Sequence, residues 1–208
     1  MPDVDYFALL NEPRRPWVDA EVLKGKFLAL TAEVHPDRFH NSPEAEKTAA
    51  NARYTELNAA YRTLSSTKDR LLHLLTLESG VKPKEIQNIP AGAMELFVEV
   101  GQICKQLDYF LIEKAKSQSP IVKAQLYQRG LEWTDEVQSL QERLQDQQAE
   151  LEEELQRLNT KWEQAPAIGD AARAGALPLA RVEDIYRSFS YLNKWTGQLK
   201  ERFTQLAI

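Results

Sequence analysis

Residues 19–64 read DAEVLKGKFLALTAEVHPDRFHNSPEAEKTAANARYTELNAAYRTL, with prolines at positions 36 and 43. Asp19 is the predicted N-cap of a first helix, because its carboxylate can accept hydrogen bonds from the unpaired N–H groups there. This helix carries an apolar stripe formed by Val22, Phe27, Leu30 and Val34. It ends at His35-Pro36, since a proline biases the residue before it away from helix.

A second helix is predicted to begin at Ser42-Pro43, with the serine as N-cap and the proline as first helical residue. Its small-residue face predicts a close approach of the first helix. That face consists of Ala45, Ala49, Ala52, Leu57, Ala60, Tyr61 and Leu64. The segment therefore predicts a helical hairpin whose loop holds Val34-His35-Pro36-Asp37-Arg38-Phe39.

Further helices are predicted on both sides of this hairpin. Tyr6 to Leu10 reads as a short helix with Asp5 near its positive end. A leucine-rich helix follows the hairpin and ends at Gly80, a natural C′ glycine. Its leucines are Leu71, Leu72, Leu74, Leu75 and Leu77. No sustained alternation of apolar and polar residues indicates a sheet, so the predicted fold class is all-α.

The second half of the chain predicts three long helices. One runs from Met94 to Lys116, one from Ser119-Pro120 to about Trp162, and one from Leu179 to Leu206. The middle helix carries apolar residues seven apart, which suits a helical seam. They are Val137, Leu144, Leu151 and Leu158. We expect an antiparallel three-helix bundle at 91–208, a linker at 81–90 and a separate helical domain at 1–80.

The bulk composition excludes several classes of protein. A net charge of −5 over 208 residues does not fit a nucleic-acid binder, which needs a basic face. No apolar run is long enough to span a bilayer, so no membrane partner is predicted. The lone Cys104 excludes an internal disulfide and a multi-cysteine metal site. These features together predict a reducing, cytoplasmic location.

The residues around His35-Pro36-Asp37 form a recognisable pattern. Asp5-Tyr6-Phe7 precedes the tripeptide, and Leu57 to Leu64 follows it. Arg70 then leads into a leucine-rich helix. This arrangement resembles a J-domain, and in detail it resembles the iron–sulfur cluster co-chaperones of the HscB family. The resemblance implies an N-terminal J-domain followed by a C-terminal three-helix antiparallel bundle.

The resemblance also implies a binding site for a partner. In a J-domain, the His35-Pro36-Asp37 loop faces a DnaK/HscA-type chaperone ATPase and stimulates it. The Asp37 carboxylate can form a charge-assisted pair with a basic group, and Pro36 limits the freedom of the loop. Positive charge for steering an acidic partner surface would come from Lys24, Lys26 and Arg38.

A second surface is implied on the first bundle helix, where the family presents an apolar and acidic patch to the iron–sulfur cluster scaffold protein. The corresponding residues here are Phe97, Val98, Gly101, Gln102 and Lys105. Phe97 and Val98 keep the apolar character. Gly101 replaces a large apolar side chain, and Gln102 and Lys105 replace acids, which weakens a pairing with basic scaffold residues.

Other interpretations of the same residues stay open. The tripeptide can be a simple turn with a capping aspartate, or His35, Asp37 and His40 can hold a metal, although no supporting ligand cluster is evident. A second function class is a J-domain adaptor whose bundle binds an unrelated client or oligomerises through the 137–158 stripe. A third is a coiled-coil scaffold with a vestigial J-like fold. No nucleophile motif or phosphate loop stands out, so no enzymatic activity, cofactor or metal site is predicted.

Overall fold

The computed structural model describes residues 4–83 and 93–207, and within these ranges it contains helices and no strands. The helices are α1 (Tyr6–Leu9), α2 (Ala20–Glu33), α3 (Glu44–Ser65), α4 (Thr67–Ser79), α5 (Met94–Lys116), α6 (Pro120–Glu163), α7 (Arg173–Ala176) and α8 (Leu179–Ala207), with a 3₁₀ turn at Pro36–Phe39. The all-α fold class is therefore confirmed. A search of the described helices finds none with the length and apolar character needed to cross a membrane.

Several predicted helix ends are confirmed by their caps. The Asp5 carboxylate accepts from the N–H groups of Phe7 and Ala8 at the start of α1. Asp19 accepts from the second and third N–H groups of α2. Gly80 ends α4 in the left-handed conformation, with φ of +72°, which a residue without Cβ adopts at little cost.

The predicted apolar stripe of α2 is wrong at its first residue. Val22 is exposed, and Leu23 is buried in its place, with Thr31 also buried two residues before the helix ends. Phe27 stacks on Tyr61 of α3, with ring centroids 4.3 Å apart. The buried side of α2 thus begins at Leu23, and its further residues follow at intervals of three or four. Val22 lies one residue earlier and therefore points about 100° away from this side.

The N-terminal part of α3 also differs from the prediction. Pro43, not Ser42, is the N-cap, and no side chain supplies a capping hydrogen bond there. Ala45, Ala49 and Ala52 are exposed. The buried residues are Ala50, Leu57, Ala60 and Leu64. The packing of α3 against α2 therefore involves the C-terminal two thirds of α3, because the apolar residues of α3 recur at helical spacing only from Ala50 onward.

The chain divides into two compact units. Unit 1 comprises Met1–Glu85 with Glu152–Tyr186, and unit 2 comprises Ile86–Leu151 with Arg187–Ile208. Helices α6 and α8 each contribute residues to both units. The predicted limits at 1–80, 81–90 and 91–208 stay a prediction, and residues 84–90 of the predicted linker lie outside the described residues.

Within unit 1, polar contacts join the segment before residue 84 to the segment after residue 151. The Trp17 N–H donates to Asn159 Oδ1, and Asn159 Nδ2 donates to the Trp17 carbonyl, both at 3.0 Å. Arg173 donates twice to the Glu78 carboxylate, at 2.8 Å each time. This hydrogen bonding raises the pKa of Arg173. Both contacts are specific pairings over long sequence distances, so unit 1 needs residues 152–186 for its full set of hydrogen bonds.

Arg70, in the first turn of α4, is the central polar residue of unit 1 and is only 4% exposed. Its guanidinium donates to the carbonyls of Pro16 and Leu64 at 2.9 and 2.8 Å, and to Thr67 Oγ1 at 3.1 Å. Arg70 Nη2 also lies 3.6 Å from Glu152 Oε2. Burial lowers the pKa of Arg70, while the Glu152 carboxylate raises it. The arginine therefore ties the start of α4 to the loop carbonyl of Pro16, to the last turn of α3 and to α6.

Unit 2 has the predicted antiparallel arrangement. Glu99 pairs with Arg143 and Glu113 with Arg129, so residue numbers fall along α6 as they rise along α5. By contrast, Arg202 of α8 pairs with Asp108 of α5, and Lys114 donates to the carbonyl of Leu206, so α5 and α8 are parallel. An up-down-up bundle follows from these pairings.

The apolar seam of α6 is buried within the chain. Val137, Leu144 and Leu151 of unit 2 are buried, as is Leu155 of unit 1, while Leu158 is half-buried. Leu192 and Leu199 of α8 are buried in unit 2 as well. The seam is therefore a core feature of this fold, as predicted.

Leu144→Ala is expected to lower the free energy of unfolding by about 2–5 kcal/mol, since it removes buried methyl groups and leaves a cavity. The loss should not depend on protein concentration, and urea unfolding followed by circular dichroism measures it. Leu131→Ala, at an exposed position of the same helix, is the control and should change stability by about 0.5 kcal/mol at most. A wild-type dimer that Leu144→Asp converts to a folded monomer would contradict this placement of the seam.

Candidate functional site

The loop between α2 and α3 is an ordered turn. His35 has an extended backbone and serves as N-cap of the 3₁₀ turn that begins at Pro36. Its Nδ1 accepts a hydrogen bond from the Asp37 N–H at 3.3 Å, and its carbonyl accepts one from the Arg38 N–H at 2.9 Å. Proline fixes its own φ near the value that a helical first position requires. Hydrogen bonds within the tripeptide and to Arg38 thus order the turn.

The side chains of the loop are presented to solvent. The Asp37 side chain is 90% exposed, and that of His35 is 46% exposed. The rings of His35 and of Tyr54 in α3 pack edge to face, with their centroids 5.7 Å apart. Tyr54 therefore supports the histidine ring, a role that the sequence analysis missed.

The three predicted basic residues have different surroundings. Lys26 Nζ lies 2.8 Å from Glu12 Oε1 and donates to the Asn11 carbonyl at 2.7 Å. The Glu12 side chain is fully buried, so the Lys26 charge is committed within unit 1. Lys24 is exposed, 4.0 Å from Glu21. Arg38 donates to the Ala32 carbonyl at 3.0 Å, which ties the loop back to the last turn of α2.

The five residues predicted on α5 all lie on its exposed side. Phe97 and Val98 are large exposed apolar residues, and Gly101, Gln102 and Lys105 are exposed with them. The same side continues with three further exposed apolar residues that the sequence analysis missed. We call the whole surface the α5 face: Met94, Phe97, Val98, Gly101, Gln102, Lys105, Tyr109 and Ile112. Its period of three to four residues is that of one helical side.

The opposite side of α5 is packed into unit 2. Leu96, Val100, Ile103 and Leu107 are buried there, which fixes the direction in which the α5 face points. Cys104 is buried as well, and burial raises the pKa of its thiol. Beside the face, Glu99 binds Arg143 at 2.6 Å, and this hydrogen bond raises the pKa of Arg143.

Two curated relatives match the chain in sequence. The chain is 42% identical over 84 residues to a co-chaperone protein HscB homologue of Chromobacterium violaceum. This match covers 40% of this chain and 47% of that protein. It is 31% identical over 138 residues to the iron–sulfur cluster co-chaperone protein HscB of Mus musculus. This match covers 66% of this chain and 57% of that protein. The resemblance to the HscB family is confirmed. The chain spans about half the length of these curated relatives, and no protein-family model matches it.

Solved structures share the HscB-type fold over nearly the whole chain. Chaperone HscB from Vibrio cholerae aligns with a TM-score of 0.57 and 19% identity, covering 95% of this chain and 96% of that one. The human co-chaperone protein HscB aligns with a TM-score of 0.61 and 21% identity, covering 96% and 82%. The predicted architecture, an N-terminal J-domain followed by a C-terminal helical bundle, is thereby confirmed.

The comparisons do not test the individual site residues. The roles of His35, Pro36, Asp37, Lys24, Lys26 and Arg38, and those of the residues on the α5 face, stay predictions. The relatives carry the names of co-chaperones and not of enzymes. A group of three or more histidine, cysteine or acidic side chains placed to hold a metal is not found in the part of the chain that the structure describes.

Proposed function

We propose that this chain is a J-domain co-chaperone that stimulates a DnaK/HscA-type chaperone ATPase through the His35-Pro36-Asp37 loop. The observation that carries the proposal is an ordered turn at the tip of a helical hairpin, with His35 and Asp37 exposed. A turn that is already ordered loses little conformational freedom when it binds. The exposed Asp37 carboxylate can accept charge-assisted hydrogen bonds from a basic group of the partner. Arg38 contributes positive charge in the loop itself, and Lys24 contributes an exposed positive charge on α2.

The α5 face is the proposed client surface. Exposed apolar residues arranged along one helical side are typical of a protein-binding site. The client that the family resemblance suggests is the iron–sulfur cluster scaffold protein, and the murine relative is named an iron–sulfur cluster co-chaperone. The chain would then bring the scaffold to the chaperone ATPase. The reducing, cytoplasm-like compartment predicted from the lone Cys104 is part of the same proposal.

A second candidate is a J-domain adaptor for an unrelated client. The observation that favours it is the charge of the α5 face. Lys105 is exposed on this face, and the neighbouring Glu99 carboxylate is already paired with Arg143. Apart from Glu95, which borders the face, these residues offer little negative charge to a basic scaffold surface and suit a client whose contact is mainly apolar.

Affinity capture from native extract tests both contacts in one experiment. The wild-type chain is expected to retain a DnaK/HscA-type chaperone and the iron–sulfur scaffold, both identified by mass spectrometry. Val98→Asp places a charge in the centre of the α5 face and is expected to reduce scaffold capture by at least about tenfold, because a charge buried without a partner is costly. It should leave chaperone capture unchanged.

Asp37→Asn is the matched control, since it changes the loop in unit 1 and leaves the α5 face intact. We expect it to lose the chaperone and to keep the scaffold. Capture of the chaperone with a different protein would favour the adaptor. Equal capture of both partners by the wild type and by both variants would contradict the assignment of the two surfaces.

A further inference from the structure

The first three turns of α6, which begins at Pro120, present apolar side chains to solvent. Of the large apolar residues that the structure describes, Ile121 and Tyr127 are the two most exposed, at 74% and 69%. Single exposed apolar residues are common on protein surfaces, whereas a group of them marks an interaction site. We call this surface the α6 tip: Ile121, Val122, Ala124, Tyr127 and Leu131.

The packing of α6 in unit 2 fixes the direction of the α6 tip. Leu126 and Val137 are buried on the inner side of the helix. At about 100° per residue, Ile121, Tyr127 and Leu131 fall within about 120° of one another on the opposite side. The start of α6 is thus apolar on the side that a surface helix normally keeps polar.

Positive charge surrounds the α6 tip. Residues 114–131 contain four basic residues and no acidic one, in a chain whose net charge is −5. Arg129 is paired with a glutamate of α5. Lys114 donates to a main-chain carbonyl, which leaves its charge uncompensated, and Lys116 and Lys123 are exposed. The tip therefore combines apolar side chains with three positive charges available to an anionic partner.

We propose that the α6 tip binds the surface of a bilayer that contains anionic lipids. The apolar side chains enter the boundary between headgroups and acyl chains, and the lysines stay among the headgroups. A residue such as Tyr127 is typical of this boundary, because its ring is apolar and its hydroxyl is polar. The contact is peripheral, so it needs no helix that spans the bilayer. It goes beyond the proposed co-chaperone function and does not depend on it.

Charge and exposure favour a bilayer over a protein as the occupant. A second copy of this chain would bring two sets of positive charges together, which is unfavourable. Ile121 and Tyr127 project with most of their surface free, whereas a protein contact draws its binding energy from side chains seated in well-packed pockets. A bilayer accepts projecting side chains without a matching pocket. Acidic residues resume at Glu132, so the contact is confined to the α6 tip.

Sedimentation with vesicles tests the proposal on the full-length chain. Vesicles of phosphatidylcholine and phosphatidylglycerol are compared with vesicles of phosphatidylcholine alone. We expect the wild type to bind the anionic vesicles at least about tenfold more strongly than the neutral ones, because each lysine near the surface is attracted to anionic headgroups. Raising the salt concentration from about 0.05 M to about 0.5 M should weaken this binding by about threefold or more, since salt screens the attraction.

Ile121→Asp is expected to weaken binding to the anionic vesicles by at least about tenfold, because a carboxylate resists entry into the bilayer and is repelled by anionic lipid. Position 121 lies in the first turn of α6, where an acidic residue favours the helix, so the variant should fold. Ile168→Asp is the matched control, since it makes the same substitution at an exposed isoleucine of unit 1. It should bind within about twofold of the wild type, because salt screens distant charges.

A second pair of variants separates the charges from the apolar contact. Lys116→Glu combined with Lys123→Glu reverses two charges and leaves the side chains of the α6 tip in place. We expect this double variant to lose at least about tenfold in binding at low salt. Lys161→Glu combined with Lys200→Glu makes the same change of net charge at exposed lysines elsewhere. This control should keep about half of the wild-type binding or more. Circular dichroism checks that each variant is folded.

Absence of vesicle binding by the wild type overturns the proposal, as does equal binding to anionic and neutral vesicles. Unchanged binding by folded Ile121→Asp and by the folded double variant at positions 116 and 123 overturns it as well. A wild-type dimer in light scattering that Ile121→Asp dissociates would make a second copy the occupant. Capture of an acidic protein that Ile121→Asp loses, without vesicle binding, would make a protein the occupant, and either result overturns the proposal. Stimulation of the chaperone ATPase is measured separately, so its failure is distinguishable from these results.

Discussion

Asp37→Asn and His35→Gln are each expected to reduce stimulation of the chaperone ATPase by at least about tenfold, because a hydrogen bond to a charged group contributes about 1.5–3 kcal/mol. Asp37→Asn removes the negative charge from a side chain that is 90% exposed. His35→Gln removes the ring that caps the Asp37 N–H and that rests against Tyr54. Phosphate release in the presence of each variant measures the effect.

The fold should survive both substitutions. The two side chains are largely exposed, and surface changes of this type alter stability by about 0.5 kcal/mol or less. Circular dichroism spectra and melting temperatures should therefore match those of the wild type. Full stimulation by both variants would refute the role given to the loop, whereas loss of stimulation together with loss of helix would assign the effect to unfolding.

Arg70→Met is expected to lower the free energy of unfolding by about 3 kcal/mol. The substitution keeps an apolar side chain of similar length, but it leaves the carbonyls of Pro16 and Leu64 without their donor. Each buried group left without a partner costs about 1–3 kcal/mol. Glu152→Gln should cost less, about 1 kcal/mol, because Arg70 keeps its two carbonyl acceptors. Urea unfolding followed by circular dichroism gives both values.

Arg53→Met is the control for this pair. Arg53 is an arginine of α3 whose side chain is 42% exposed and whose partner, Glu56, lies three residues along the same helix. Such pairs contribute a few tenths of a kcal/mol, so the control should unfold like the wild type. Two results would show that the carbonyl contacts of Arg70 do not stabilise the fold. One is a decrease in the free energy of unfolding for Arg70→Met no larger than that for Arg53→Met, and the other is a larger decrease for Glu152→Gln than for Arg70→Met.

The parts of the fold that depend on local chemistry were predictable from the sequence. Asp19 and Gly80 mark helix ends because a cap acts on backbone groups only a few residues away. The limits of α5 follow from a clear apolar period between segments that contain prolines. The buried side of α2 was misplaced at Val22, which lies about 100° from the side that Leu23 shares with Phe27; the helical period itself favours Leu23.

The turn at the loop was predictable from its residues, and its electrostatic surroundings were less so. His35-Pro36-Asp37 is a contiguous motif, and the structure gives it the expected turn. The commitment of Lys26 to Glu12 could not be foreseen, since the two residues are on different segments and meet only in the folded unit. The same holds for the support of His35 by Tyr54 and for the pairing of Arg70 with Glu152. Long-range pairs of this kind leave no local pattern.

Single-turnover ATP hydrolysis by a purified DnaK/HscA-type chaperone tests the central claim most directly. The wild-type chain is titrated into the chaperone already loaded with ATP, with Asp37→Asn titrated in parallel. We predict a saturable acceleration by the wild-type chain and a flat response to the variant, because the proposed function assigns the decisive contact to the exposed Asp37 carboxylate. No acceleration by the wild-type chain with any chaperone of this class, or equal acceleration by both proteins, would contradict the account.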